Sequence, residues 1–207
     1  MSQVSEKVEA QTLKLTKKGL ETRNKLLRAA EKVFAEKGFY EASIVNITQE
    51  ANVANGTYYN YFATKKEIFD ELIRDYNRNL RHAIKKEMEK ATSHEDAQRR
   101  GFKAFFDWAK TRPDLYNIVQ QAVVVDQELY RWYYQKIAAG FVKSLTRGIN
   151  DGEFKPLDLE TVAYSLMSIG QFLGMRWIYW EGKDVPEEAF EAAMTLIFDG
   201  LKQKDEG

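Results

Sequence analysis

The chain has 207 residues, and its 31 Lys and Arg side chains are balanced by 31 Asp and Glu, so its formal net charge is zero. It contains no cysteine, which excludes a disulfide scaffold, a thiolate metal site and a cysteine nucleophile. Hydrophobic residues make up 44% of the chain, enough for a buried core and too many for a disordered protein. The neutral total argues against a protein that coats nucleic acid over its whole surface.

The charges are divided unevenly along the chain. Residues 1–66 carry 11 Lys or Arg and 7 Asp or Glu, a net charge of +4, whereas residues 67–207 carry 20 and 24, a net charge of −4. This division predicts a basic module followed by an acidic one. The first twenty residues lack the apolar segment of a secretion signal, and the longest apolar stretch, over 162–180, is interrupted by polar side chains. We therefore expect a cytoplasmic protein that does not enter the membrane.

The first predicted helix covers residues 21–37, where apolar side chains recur every three or four residues and Gly38 supplies a stop. Two short helices follow. The first has Ser43 as its N-cap, the second runs from about 55 to 62, and residues 52–54 form the turn between them.

A long fourth helix begins at the capping-box pattern of residues 64–67 and reaches about residue 90. Later helices are predicted over residues 94–111, 113–124, 127–151, 159–181 and 187–202. Because no clean alternation of period two occurs, the predicted fold class is all-α.

Three short helices with a tight turn between the second and third are typical of a helix-turn-helix, in which the later helix enters the major groove of DNA. The sequence around that helix carries suitable side chains. Asn55 and Thr57 can hydrogen-bond base edges or phosphates, and Gly56 would let the backbone approach DNA. Tyr59 offers a hydroxyl to phosphates, and Lys65 begins the next helix, where backbone N–H groups also attract anions.

Three segments together resemble the TetR/AcrR family of bacterial transcriptional regulators. They are FAEKGFY at 34–40, ASIVNI at 42–47 and VANGTYYNYFATKKEI at 53–68, the last close to the family pattern V-S-x-G-T-x-Y-x-Y-F-x-S-K-x-x-L. The resemblance covers about residues 20–70, a quarter of the chain. It implies DNA contacts at Ser43, Val45, Asn55, Gly56, Thr57, Tyr59, Tyr61 and Lys65. Asn55, Gly56 and Thr57 would lie nearest the bases, and Ser43, Tyr59, Tyr61 and Lys65 would contact phosphates.

Three positions depart from the family pattern. Ala54 replaces the usual Ser, so the third helix loses an N-cap worth ~1 kcal/mol. Asn52 replaces the usual turn Gly, a mild change because Asn tolerates a left-handed backbone. Val45 stands where a polar or basic side chain is common, and it can contact a thymine methyl group but cannot hydrogen-bond a base.

The charge division and the predicted helices, together with the resemblance, give the expected organisation of the chain. Residues 1–20 form a flexible basic arm, 21–66 a helix-turn-helix DNA-binding domain, and 67–207 a helical ligand-binding and dimerisation domain. For the lysines of the arm, phosphate contact and a merely solvated tail are equally consistent.

Aromatic side chains crowd the later helices, where they are usually core, but an apolar pocket with a few polar groups is also the form of a small-molecule site. The candidate effector contacts are Phe105, Trp108, Tyr116, Tyr133, Phe172 and Arg176. Arg176 either binds an anionic ligand or, the more ordinary reading, forms an ion pair.

Apolar stripes on the last two helices predict a four-helix homodimer interface. Its candidate residues are Met167, Gly170, Gly174, Ile178, Phe190, Met194, Ile197 and Leu201.

The functional hypothesis is a ligand-responsive regulator, most simply a repressor. It binds a palindromic double-stranded DNA operator as a dimer and is released by a small hydrophobic or amphipathic effector. The alternatives are a helical adaptor that does not bind DNA and, less favoured, an enzyme. Only His82 and His94 offer imidazoles, and no catalytic or phosphate-binding motif occurs. We expect no catalytic residue, no metal site and no cofactor.

Overall fold

The computed structural model describes residues 15–201, and that range is helical without a β-strand. The helices are α1 (Lys17–Glu41), α2 (Ile44–Glu50), α3 (Asn55–Tyr58), α4 (Lys65–Met88), α5 (His94–Thr111), α6 (Pro113–Val125), α7 (Gln127–Asn150), α8 (Leu159–Gly174), a π-helical segment (Met175–Trp180) that continues α8, and α9 (Glu187–Leu201). The predicted all-α fold, with an N-terminal helix-turn-helix followed by a helical domain, is confirmed.

The chain divides into two compact units, and the division falls between Leu72 and Ile73. The sequence placed it after residue 66, at the start of α4. The difference arises because the first turns of α4 supply Ile68 and Phe69 to the core of the first unit, where both are fully buried. Helix α4 is continuous across the division.

Helix α1 begins four residues earlier than predicted. The Thr16 side chain accepts a hydrogen bond from the backbone N–H of Gly19 and caps a helix that starts at Lys17. Residues 17–20 are therefore helical and do not belong to a flexible arm, while residues 1–14 lie outside the described range. The helical backbone breaks at Gly38, whose φ of 74° is easily adopted only without a Cβ.

The first unit is organised around large buried side chains. Leu26, Phe34, Ile47, Tyr58 and Phe69 are fully buried, and Phe34 and Phe69 pack edge to face with ring centroids 5.3 Å apart. Phe62 and Ile68 are also buried, so the hydrophobic face of the matched segment lies in this core.

One ion pair is enclosed in this unit. Arg23 of α1 and Glu71 of α4 lie 2.9 Å apart with side chains only 11% and 9% exposed, and the Arg23 guanidinium also lies 5.4 Å from the ring centre of Phe62. The pair joins the first and last helices of the unit.

The core of the second unit is formed by α5, α7, α8, α9 and the residue Phe154 between α7 and α8. Its buried members are Phe102, Phe106, Leu145, Phe154, Leu166, Phe190, Met194, Ile197, Phe198 and Leu201. A buried amide joins α4 to α7, because Asn77 Nδ2 donates to the carbonyl of Tyr133 at 2.9 Å.

Candidate nucleic-acid interface

The turn between α2 and α3 has the backbone form that the sequence predicted. Asn52, which stands where the family usually has glycine, adopts a left-handed backbone with a φ of 51°. The Val53 N–H donates to the carbonyl of Thr48 at 3.0 Å and closes the turn. Ala54 occupies the N-cap of α3 without a side-chain hydrogen bond, as its apolar side chain requires.

Ser43 caps α2 through a reciprocal pair of interactions. Its hydroxyl accepts from the backbone N–H of Asn46 at 3.1 Å, and the Asn46 side chain accepts from the backbone N–H of Ser43 at 3.1 Å. The same hydroxyl donates to Asn46 Oδ1 at 2.8 Å. The predicted N-cap is confirmed. Because its only hydroxyl proton is already used, Ser43 is better suited to shaping α2 than to donating a hydrogen bond to a phosphate.

The predicted base-reading positions lie at the solvent-facing start of α3. Asn55 and Gly56 are exposed, and a Cβ built at Gly56 would have no atom within 4 Å, so this edge is open to a large partner. Thr57 is half-buried. Val45 of α2 is 48% exposed and offers a methyl surface to solvent.

The tyrosines of the motif divide by burial. Tyr58 is fully buried, and its hydroxyl donates to the carbonyl of Thr64 at 2.9 Å, which connects α3 to the start of α4. Tyr59 is 56% exposed and Tyr61 is half-buried. Burial raises the pKa of the Tyr58 phenol far above its ordinary value, so Tyr58 remains a neutral structural group.

The phosphate contact of Lys65 stays a prediction, and in this structure its side chain contacts backbone carbonyls. Its ammonium donates to the carbonyls of Phe39 at 2.6 Å, Tyr40 at 3.2 Å and Ala42 at 2.6 Å, and lies 4.6 Å from the ring centre of Phe39. An ammonium has three donors, and all three are used. Lys65 thus caps the carboxyl end of α1, and burial lowers its pKa, an effect partly opposed by Glu41. Sequence reasoning placed the lysine at the right helix end but missed the carbonyls that surround it.

The capping box at the start of α4 is present in a slightly shifted form. The Thr64 side chain accepts from the Glu67 N–H at 3.1 Å, while the Glu67 carboxylate accepts from the Ala63 N–H at 2.6 Å. The Glu67 carboxylate therefore bonds the N–H of the residue before the cap, not that of the cap itself. The prediction that α4 begins here is confirmed.

Tyr40 is a surface residue that sequence reasoning did not select. It is 68% exposed, packs edge to face against Phe39 at 5.5 Å, and is joined to Lys65 through its carbonyl.

Two of the predicted effector contacts in the second unit face solvent. Phe172 is 63% exposed. The Arg176 side chain is 60% exposed, lies 4.7 Å from the ring centre of Trp177, and approaches Glu181 at 3.7 Å. Neither residue belongs to an interior site in one chain, and for Arg176 the ordinary reading, an ion pair, is the one present.

Of the remaining candidates, Tyr133 is buried, and Phe105, Trp108 and Tyr116 are half-buried. Phe105 packs against the main core. Trp108 packs edge to face with Tyr76 at 6.2 Å. Tyr116 stacks on Tyr179 with ring centroids 4.3 Å apart, and Tyr133 is 6% exposed.

The predicted dimer stripe is largely internal, which corrects the sequence interpretation. Phe190, Met194, Ile197 and Leu201 are 2%, 0%, 5% and 6% exposed and belong to the core of the second unit. Gly170 and Gly174 are buried, and a Cβ at Gly170 would lie 3.0 Å from the Phe102 ring. Met167 and Ile178 are half-buried. The small residues therefore permit close packing within one chain.

Other side chains of the same helices are exposed. Phe172, Trp180 and Leu196 are 63%, 70% and 72% exposed, and we call these three the outer apolar set. Among residues 15–201, no helix is long and apolar enough to cross a membrane.

Comparison with known proteins agrees with this arrangement. The family model for bacterial regulatory proteins of the tetR family matches residues 26–72, which contain α2 and α3. The transcriptional regulator YdgC of Bacillus subtilis is 28% identical over 189 residues, which cover 89% of this chain and 95% of YdgC. The transcriptional repressor KstR2 of Mycolicibacterium smegmatis is 24% identical and covers 87% of this chain and 91% of its own.

Solved structures show the same fold. The fatty acid degradation regulator FadR from Bacillus halodurans superposes with a TM-score of 0.76 at 20% identity, over 85% of this chain and 94% of that one. Fold and interface thus define a helix-turn-helix transcriptional regulator with an all-helical second unit. The match to the family model, the curated relatives and the solved structures together support a transcriptional regulator of the TetR family.

Proposed function

We propose that this chain is a cytoplasmic, ligand-responsive repressor that binds a near-palindromic DNA operator as a homodimer. The observation that carries the proposal is the exposed edge of the helix-turn-helix. Asn55, Gly56 and Tyr59 are exposed there, whereas Tyr58 between them is fully buried. A recognition helix that is anchored by its core side and open at its first turn has the form that reads base edges in the major groove.

The proposed DNA contacts fall into two groups, those that read bases and those that contact phosphates. Asn55 and Thr57 carry groups that discriminate bases, and Val45 offers an apolar contact for a thymine methyl group. Tyr59 and Tyr61 have hydroxyls suited to phosphates, which position the protein without reading sequence.

A homodimer would form through the outer apolar set of Phe172, Trp180 and Leu196. Large apolar side chains with this exposure on α8, the π-helical segment and α9 favour contact with another apolar surface. A second copy presents the same three side chains, so a two-fold axis would bring the outer apolar set of one copy against that of the other. Dimerisation also explains a palindromic operator, because two recognition helices then meet half-sites about 34–36 Å apart.

Effector binding would act through the second unit. Helix α4 begins beside the helix-turn-helix residues and continues to Met88, so it connects the two units within one element. An effector that favours one conformation over another by ~1–3 kcal/mol changes operator affinity by the same free energy. Repression is supported by the relative KstR2, a named repressor, while the relative FasR is a named activator.

The decisive experiment selects ligands from a pool of random duplex DNA with the purified full-length chain. We expect enrichment of inverted repeats and affinity that falls as salt rises. Asn55→Ala should relax the sequence preference, whereas Tyr59→Phe should weaken binding to all sequences equally. Failure to enrich any sequence from the pool would refute the proposal. Enrichment of unpaired half-sites would refute only the dimeric form.

A further inference from the structure

The recognition helix α3 begins with an asparagine that is followed by glycine. Asn55-Gly56 is the only Asn-Gly pair in the sequence, and both residues are exposed. A Cβ built at Gly56 would meet no atom within 4 Å. An asparagine side chain reacts most readily with the backbone nitrogen of a following glycine, because no side chain on that residue blocks the approach and its backbone adapts easily.

The backbone N–H of Gly56 is left uncovered by the residue before the helix. A capping side chain normally accepts from the second or third N–H of the first turn. Ala54 holds the capping position, and no side-chain cap is present. The N–H of Thr57 donates to the Ala54 carbonyl at 2.9 Å, whereas the Gly56 N–H has no acceptor among residues 15–201. The alanine that replaces the usual serine therefore leaves the Gly56 nitrogen accessible.

Two other exposed asparagines of the first unit have a different neighbour. Asn52 precedes Val53, whose N–H is used to close the turn between α2 and α3. Asn60 precedes Tyr61, whose N–H donates to the carbonyl of Tyr58 at 2.9 Å. In both cases the following nitrogen is hydrogen-bonded and carries a bulky side chain next to it. The Asn-Gly pair has neither protection.

The first turn of α3 is also easily opened. The helix has four residues, too few to persist without tertiary contacts. Its anchor is Tyr58 at the far end, which is fully buried and donates to the carbonyl of Thr64. Asn55 lies at the exposed end. Its backbone can therefore leave the helical conformation without the loss of a core contact.

We propose that Asn55 is a site of spontaneous deamidation and that its conversion switches off DNA reading by α3. The Gly56 nitrogen gives its proton to water and bonds to the side-chain carbon Cγ of Asn55. The bond from Cγ to Nδ2 breaks, and Nδ2 takes a proton from water and leaves as ammonia. A second water then opens the cyclic imide at either carbonyl carbon, which gives aspartate or isoaspartate. One water is consumed for each ammonia released, and no oxidant or reductant takes part.

The effect on DNA binding rests on the proposed function, whereas the chemical step does not. An amide both donates to and accepts from a base edge, but a carboxylate only accepts. The new negative charge would also face the phosphates of DNA. Aspartate in a first turn suits the helix dipole, so this product should stay folded and lose affinity. Isoaspartate adds a methylene group to the main chain and displaces the start of α3.

The test incubates the full-length chain in mildly alkaline buffer and follows each asparagine by peptide mass spectrometry. We expect Asn55 to be converted well before Asn52 and Asn60 of the same chain. Gly56→Ala adds a Cβ that meets no atom and should slow the conversion severalfold. Ala54→Ser supplies the missing cap and should slow it as well. Ala54→Val changes the same position without an oxygen, serves as the matched control, and should not slow it.

The converted chain carries one more negative charge, so anion exchange separates it from the intact chain. Its affinity for the sequence that the intact chain selects should be at least about fivefold weaker, the loss of one bidentate base contact. The proposal is overturned if Asn55 keeps its amide as long as Asn60 does, if Gly56→Ala is converted at the original rate, or if both separated forms bind equally tightly. Conversion of Asn55 in a chain that selects no DNA sequence would reject the proposed function and retain the modification site.

Discussion

The ammonium of Lys65 lies 2.6 Å from the carbonyl oxygen of Ala42, the residue before the N-cap of α2. The same ammonium holds the carbonyls of Phe39 and Tyr40. One side chain at the start of α4 thus fixes the path of the chain between α1 and α2. In a DNA-binding unit this sets where α2 begins, so Lys65 acts on the interface through the backbone.

Replacing Lys65 distinguishes this role from phosphate contact. Lys65→Gln should lower the free energy of unfolding by about 2 kcal/mol, because carbonyls of a helix end lose a charged donor. It should weaken operator binding while leaving the slope of log affinity against log salt unchanged. A lost phosphate contact would instead reduce that slope by about 0.9. Duplex titrations between 50 and 200 mM salt measure the difference, and a slope reduced by about one would show that Lys65 does contact phosphate.

Replacing Ala54 with a capping residue should stabilise the recognition helix. Its position at the N-cap of α3 lacks a side-chain hydrogen bond. Ala54→Ser should raise the free energy of unfolding by about 0.5–1 kcal/mol by accepting from an unpaired N–H of the first turn. Chemical denaturation measures the change. Ala54→Val adds volume without a hydroxyl and serves as the control, and an equal gain in both variants would contradict the capping explanation.

Removing one partner of the buried ion pair in the first unit should destabilise the chain strongly. Replacing both partners with apolar residues should destabilise it much less. Arg23→Met alone leaves Glu71 buried without its partner and should cost about 3–5 kcal/mol of stability. The double change Arg23→Met with Glu71→Leu should recover most of that loss. Denaturation of the two single variants and the double variant forms a complete cycle. Additive losses would show that the two side chains do not interact.

The inner and outer faces of α9 should respond differently to mutation. Met194 is fully buried, so Met194→Ala should lower the free energy of unfolding by about 2–5 kcal/mol. Leu196 is 72% exposed, so Leu196→Glu should leave the stability of one chain nearly unchanged and shift the proposed dimer to monomer.

Sedimentation equilibrium and chemical denaturation separate the two effects. Val124→Glu, at a 67% exposed position on α6, controls for added charge and should preserve the dimer. A dimeric Leu196→Glu chain would place the interface elsewhere.

The buried phenols predict a loss of stability in alkali. The pKa of Tyr179 is about 12 in the folded chain against an ordinary 10.0, so between these values the native state holds a proton that the unfolded state releases. Stability present below pH 10 is therefore lost as pH rises from 10 to 12. Tyr179→Phe should reduce the slope of unfolding free energy against pH by about one proton. Tyr164→Phe serves as the matched control, and equal slopes in the Tyr179 variant and the original chain would contradict the assignment.

Local features of this protein followed from the sequence alone. Helix ends were predicted at Ser43 and Thr64 because a cap depends on a side chain and backbone within one turn. The left-handed Asn52 and the uncapped Ala54 were predicted for the same reason. The all-α fold and the helix-turn-helix followed from periodicity and from a matched segment, both of which are local.

The tertiary structure decided what each side chain touches. Lys65 points to carbonyls 23 to 26 residues away in the chain, a relationship that no local pattern contains. The stripe from Phe190 to Leu201 is apolar whether it faces a core or a partner, so periodicity placed it on one face without saying which surface covers that face. Phe172 and Arg176 were assigned to the interior from residue type, but their direction depends on which side of α8 packs against α5. The sequence determined the elements and their caps, while packing across the chain determined which faces became core and which remained exposed.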